Sequence, residues 1–155
     1  MKNEIIQSVL MKLLYGAQLD CIKIYKIFLE IGFNQIGKKE LPTTIWFATN
    51  NSLYVNTNIT SIDRTADYYE KRAAVIKDLF YLIGEKVSCV TVSEKGELSI
   101  VIGDKTLFLF REEDEFEEVW EIMDNSTSNF ADHEWYITLL DDGDFELKCP
   151  EPRKN

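Results

Sequence analysis

The sequence predicts an α+β fold with an N-terminal helix, a long central helix and a mostly antiparallel sheet of about eight strands. Three observations carry that expectation. Residues Val87 to Phe110 alternate apolar and polar side chains with a period of two, in three runs separated by Ser93-Glu94-Lys95-Gly96 and Gly103-Asp104-Lys105. Such a pattern makes a three-stranded meander with one face on a core. Residues 2 to 15 instead place Ile5, Ile6, Val9, Leu10, Leu13 and Leu14 at helical spacing and stop at Gly16, as an amphipathic helix does. Residues 62 to 83 carry the helical pattern furthest, with Thr60 or Ser61 placed to cap the start and Gly84 to end it.

The remaining elements follow in order. Between Leu19 and Phe33 a helix competes with strands. Alternation at Ile22 and Ile24, and again at Ile27, Leu29, Ile31 and Phe33, decides for two strands. A polar loop from Gly37 to Pro42 precedes Thr43 to Thr49 and Leu53 to Thr57, which flank Asn50-Asn51-Ser52 and read as a hairpin. In the helix over 62 to 83, Tyr69, Ala73, Ile76, Phe80 and Ile83 are the expected core face, and Asp67, Lys71 and Asp78 the solvated one. After the meander, 112 to 117 form a loop or single turn and 118 to 123 a strand. Asp124 to Asp132 is a polar loop. Trp135, Ile137 and Leu139 then pair with Phe145 and Leu147 across Asp141-Asp142-Gly143-Asp144, leaving a frayed tail.

Two parts of the chain resemble each other. Leu14 to Ile24 aligns with Leu82 to Val92 at a constant offset, matching Gly16 to Gly84 and Cys21 to Cys89. After a one-residue difference, Leu29-Glu30-Ile31 aligns with Leu98-Ser99-Ile100. One domain over 1–155 with a pseudo-repeat of 3–57 and 62–123 is the expected organisation.

Composition narrows the function. Apolar residues make up 45% of the chain, enough for a sizeable core. No run is long enough for a membrane span, and the start lacks the apolar region of a signal peptide, so a cytoplasmic protein without membrane partners is expected. The net charge of −10 is uneven: residues 1–93 hold 11 Lys/Arg and 9 Asp/Glu (+2), and residues 94–155 hold 6 and 18 (−12). An acidic surface repels phosphate backbones and attracts basic partners, which speaks against direct nucleic-acid binding.

No catalytic, metal or cofactor motif stands out, and no enzyme activity or cofactor is expected. His133, the single histidine, has no nucleophile beside it. Asp141 to Asp144 lacks the ligand spacing of an EF-hand and fits a hairpin turn. Cys21, Cys89 and Cys149 show no C-x-x-C spacing and are expected reduced, with Cys21 and Cys89 buried at equivalent places. Seven of the ten residues from Glu112 to Glu121 are acidic. A glycosidase-like carboxylate pair would need an apolar cleft that such a run does not supply. The run is either plain solvated surface or a binding face for a basic protein. In the second case Glu112, Glu113, Asp114, Glu115, Glu117 and Glu118 supply charge, and Phe116 and Trp120 are aromatic anchors.

Residues Gly96 to Phe110, followed by the acidic loop and Glu118-Val119-Trp120-Glu121-Ile122, resemble a pattern in small bacterial proteins of unknown function. Some of these are similar to immunity proteins of contact-dependent growth-inhibition and polymorphic toxin systems. The shared motif is structural, so it assigns no functional residue. It implies a protein that binds a basic toxin domain, a nuclease by preference, and blocks it. A small-molecule-binding or regulatory module is the alternative, with an enzyme third.

Overall fold

The structure, a computed structural model, describes residues 2–26, 28–49, 53–56, 67–110, 118–124 and 134–150, and for Glu118 and Val119 the backbone. In chain order the elements are α1 (Lys2–Leu14), β1 (Gln18–Ile24), β2 (Leu29–Asn34), β3 (Thr44–Thr49), β4 (Leu53–Asn56) and α2 (Tyr68–Leu82). There follow β5 (Val87–Val92), β6 (Leu98–Ile102), β7 (Lys105–Leu109), β8 (Glu118–Asp124), β9 (Tyr136–Leu140) and β10 (Phe145–Lys148). The α+β composition is as expected, but the arrangement is not. Ten strands form two antiparallel sheets, β1-β2-β3-β8-β9-β10 and β4-β7-β6-β5, in place of one sheet of about eight.

The difference originates at the expected hairpin of β3 and β4, which does not form. β3 pairs with β2 and β8, whereas β4 pairs with β7. Each half of the chain thus runs helix, three strands, then a fourth strand that crosses to pair with the third strand of the other half. Two alternating strands separated by three polar residues look the same whether they pair with each other or with distant partners.

The offset of 68 residues recurs in backbone geometry. Gly16 N–H donates to Val87 O at 2.8 Å, and Gly84 N–H to Leu19 O at 2.8 Å. Leu19 N–H donates to Glu85 O at 2.9 Å, and Val87 N–H to Ala17 O at 2.9 Å. Raising the first member of a pair by 68 and lowering the second by 68 gives the other pair, so that the Gly16–Val87 bond becomes the Gly84–Leu19 bond and the Leu19–Glu85 bond becomes the Val87–Ala17 bond. The isolated bridge between Gln18 and Lys86 lies where the two sets meet, on a local pseudo-two-fold axis. Gly16 and Gly84 both have positive φ, 77° and 95°, which turns the chain sharply from helix into strand at little steric cost. Bulges fall at Leu19/Cys21 in β1 and at Val87/Cys89 in β5, again 68 apart. Cys21 and Cys89 are both free thiols and half-buried, less enclosed than expected.

The helices close the sides. α1 buries Ile6, Leu10, Leu13 and Leu14 and runs along the edge strand β5. There Gln7 Oε1 accepts from Val92 N–H at 2.9 Å, and Met11 Sδ lies 3.0 Å from Val90 N. These contacts occupy edge groups that would otherwise pair with another strand. At its C-terminus the buried Gln35 Nε2 donates to Leu13 O and Tyr15 O, both at 3.0 Å, and Lys38 Nζ donates to Tyr15 O at 2.9 Å. Carbonyls that the helix leaves without partners are thereby satisfied.

α2 is shorter than expected and lies at the periphery, against β4 and β1. The proposed first turn, 62–66, falls outside the described residues. Its N-cap is Asp67, whose carboxylate accepts from Tyr69 N–H at 3.1 Å, rather than Thr60 or Ser61. The faces are also reversed: Val75, Leu79 and Leu82 are buried, whereas Tyr69 and Phe80 are 75% and 66% exposed. Of the expected solvated face, Lys71 reaches Tyr54 and Asp78 pairs with Lys105 at 3.7 Å. Both stripes have helical spacing, and burial is decided by what the tertiary fold places opposite them.

Gly32 marks a close approach on the outer side of the six-stranded sheet. A Cβ there would lie 2.7 Å from Cys21 Sγ and 3.0 Å from the Trp46 ring. Gly32→Ala is expected to cost about 1–3 kcal/mol through overpacking. Urea unfolding of Gly32→Ala and of Cys21→Ala/Gly32→Ala checks this, the second substitution recovering part of the loss.

Candidate interaction surfaces

The predicted anchor Trp120 does not lie on a surface. Its side chain is 1% exposed and packs against Phe145, with ring centroids 5.9 Å apart, and Nε1–H donates to Gly96 O at 3.1 Å. The strand alternation that places Trp120 inward places Glu121 outward, where it approaches the Tyr136 hydroxyl at 3.4 Å. Glu112, Glu113, Asp114, Glu115, Phe116 and Glu117 lie outside the described residues, as do His133 and the side chain of Glu118.

Of the ten acidic side chains described in residues 94–155, Glu121, Asp124, Glu134, Asp141, Asp142, Asp144 and Glu146 lie on or beside β8–β10, whereas Glu94, Glu97 and Asp104 lie in turns of the four-stranded sheet. Register aligns Glu30, Ala48, Glu121, Thr138 and Glu146 in one cross-strand row, in which Glu146 is exposed, Glu30 and Glu121 are half-buried and Thr138 is buried. Strands lie about 4.8 Å apart, so the three carboxylates recur roughly every 10 Å. Lys23 Nζ approaches Glu30 at 3.9 Å, at the β1 end of the row. At the other end, exposed Asp141, Asp142 and Asp144 occupy the β9–β10 turn, and Glu134 is exposed just before β9. Asp142 Oδ1 accepts from Asp144 N–H at 2.8 Å, which fixes the turn. Lys2 bridges to Asp144 at 2.9 Å, with both side chains more than half exposed. A solvated pair of that kind neutralises little of the field.

A second surface, apolar and aromatic, lies on α2 and the β1–β2 turn. Of the eleven large hydrophobic side chains exposed among the described residues, seven are there: Ile24, Tyr25, Tyr68, Tyr69, Phe80, Tyr81 and Ile83. Arg72 joins the two segments by donating to the carbonyls of Tyr25 and Phe28 and to the Tyr68 hydroxyl. Tyr25 stacks on Phe28 at 4.4 Å, and Tyr68 meets Tyr69 edge-on at 5.2 Å. Scattered exposed apolar residues are ordinary on a protein surface, whereas a concentration of seven on one helix and the turn beside it makes this face a candidate for interaction.

Neither surface has the form of a small-molecule site. A shallow, open depression of about 340 Å³ lies between α1 and the end of β5, lined by Asn3, Glu4, Gln7, Val92 and Glu94. It is mostly polar, unlike the enclosed apolar clefts that bury small ligands. Burial and the neighbouring Asp20 carboxylate push the Cys21 thiol above its ordinary pKa, which disfavours the nucleophilic thiolate. No helix among the described residues is long and apolar enough to cross a membrane.

Comparison of the chain with protein-family models, with curated proteins and with solved structures finds no match in any of the three.

Proposed function

We propose that the chain is an immunity-type protein that binds a basic toxin domain, a nuclease by preference, and neutralises it by covering its active site or nucleic-acid groove. The observation that supports this reading is the segregation of charge: residues 94–155 carry −12, and seven of the ten acidic side chains described in that part lie on or beside β8–β10. A nuclease surface that holds phosphates is complementary to such a carboxylate array. Long-range attraction of this kind raises the encounter rate and makes it salt-dependent, because exposed charges are screened over about 8 Å at physiological ionic strength. Five of the carboxylates that make up this charge lie in the acidic run at 112–117. Phe116 is the aromatic residue within it, and Trp120 is no longer proposed as an anchor.

The test measures association with basic nuclease toxin domains, by stopped flow from low to high salt. Glu113→Lys combined with Glu117→Lys and Glu146→Lys is expected to slow association at least about tenfold at low salt. The three-site variant should approach wild type at high salt, with the melting temperature barely changed. An unchanged rate and salt slope, or a toxin domain that stays active in the presence of the chain, overturns the proposal.

A further inference from the structure

The stripe on α2 is self-complementary, and we infer that a second copy of the chain docks on it, pairing α2 with α2 antiparallel about a two-fold axis. Tyr69, Ala73, Ile76, Phe80 and Ile83 follow one another at three- and four-residue spacing, all on one side of the helix. Tyr69, Ala73, Phe80 and Ile83 are exposed and Ile76 is half-buried. Reversing the helix about the point between Ala74 and Val75 exchanges Tyr69 with Phe80 and Ala73 with Ile76. An aromatic ring therefore faces an aromatic ring at each end, and the small Ala73 faces the branched Ile76 twice near the middle. That alternation of large and small side chains lets two helices approach to the usual 8–10 Å.

The charges flanking the stripe obey the same symmetry. Glu70 and Lys77 are both exposed, seven residues apart on one flank. In the antiparallel arrangement the two-fold axis places Glu70 of one copy within about 3 Å, measured along the helix, of Lys77 of the other, because each residue advances 1.5 Å. Two equivalent Glu70–Lys77 pairs result, as an isologous interface requires. Residues 67–83 hold three acidic groups (Asp67, Glu70, Asp78) and three basic ones (Lys71, Arg72, Lys77). The helix segment is therefore neutral in a chain of charge −10, and Glu70 and Lys77 balance each other beside the stripe. α2 packs against β1, the edge of the six-stranded sheet opposite β10. Two copies meeting through α2 keep their β8–β10 ends apart, and those ends stay free for another partner.

The available area suits a modest dimer. Tyr69, Phe80 and Tyr81 are each about two-thirds exposed or more, and aromatic side chains bury about 150–250 Å² each when fully covered. With Ile76, Ile83 and the methyl of Ala73 the contact approaches roughly 600 Å² per copy, the lower end for a specific interface.

Sedimentation equilibrium of the full chain, without any added partner, tests the inference. Wild type is expected to dimerise reversibly at micromolar concentration, with a mass twice 18.0 kDa. Phe80→Glu should weaken the dimer at least about 30-fold while leaving the circular dichroism spectrum and melting temperature of the monomer unchanged. Glu70→Lys and Lys77→Glu should each weaken it several-fold, and the two together should restore it. A wild-type monomer at several hundred micromolar overturns the inference, as does a dimer indifferent to Phe80→Glu or a charge-swapped variant that is not restored. None of these measurements involves the toxin domain, so this result and that of the proposed function are separable.

Discussion

Replacing Trp120 with alanine is expected to remove about 3–5 kcal/mol of folding stability, the range for large aromatic truncations in a packed core. Domains of this size are stable by about 5–15 kcal/mol in total, so the variant should lie close to unfolding. Two losses combine. The indole leaves a void beside Phe145 in the common core, and Gly96 O loses the donor that reaches it at 3.1 Å. Trp120→Phe separates them: it retains most of the apolar contact and forfeits the hydrogen bond, for which about 1–2 kcal/mol is expected. Urea unfolding followed by far-ultraviolet circular dichroism distinguishes the variants. A cost below about 1 kcal/mol for Trp120→Ala would contradict the burial described above.

Gly96→Ala should cost roughly 2–4 kcal/mol, combining strain at positive φ with overpacking. Gly96 has φ 80°, and an added Cβ would lie 2.8 and 2.9 Å from the two methyls of Leu139. Leu139 is fully buried, so its methyls can move aside only by displacing other core side chains. In combination with Leu139→Ala, which makes room for the methyl, the two costs should be less than additive. Additive costs in the double-mutant cycle would mean that Gly96 and Leu139 are not in contact. Gly96 sits in the β5–β6 turn of the four-stranded sheet, and Leu139 and Trp120 belong to the six-stranded one. Both predictions therefore probe the junction of the sheets, away from the Gln18–Lys86 bridge.

The parts of this fold legible in the sequence were those with local causes. The meander from β5 to β7 follows from alternation and from glycine turns. α1 follows from a single apolar stripe ended by Gly16, and the final hairpin from Asp142-Gly143 between alternating runs. The offset between the halves could be read because a helix, a glycine and a strand recur in fixed order. What could not be read had non-local causes. Nothing in Asn50-Asn51-Ser52 says that β3 and β4 belong to different sheets, since that depends on β7 and β8, more than fifty residues further on. α2 carries two apolar stripes: the one with Tyr69 and Phe80 is richer in aromatic residues, but the tertiary contacts place Val75, Leu79 and Leu82 in the interior. Its place beside an acidic run marks Trp120 as an anchor only if its side chain points outward, and one step along a strand exchanges interior for exterior. A sign that was present is the alternation of Trp120 and Ile122 with Glu121, which places tryptophan on the apolar side of β8.

The exchange of fourth strands has a consequence for how the chain acquires its structure. β3 waits for β8 and β4 for β7, so neither half can complete its sheet while the other is missing. On a ribosome the first half emerges with the free side of β3 unpaired until β8 has been synthesised, some seventy residues later. Contacts this distant in sequence close large loops before any pairing energy is gained, which slows the search. The finished molecule should accordingly fold in milliseconds to seconds rather than microseconds. A chain cut between β4 and α2 should yield two fragments that are unstructured when separate and regain structure when mixed.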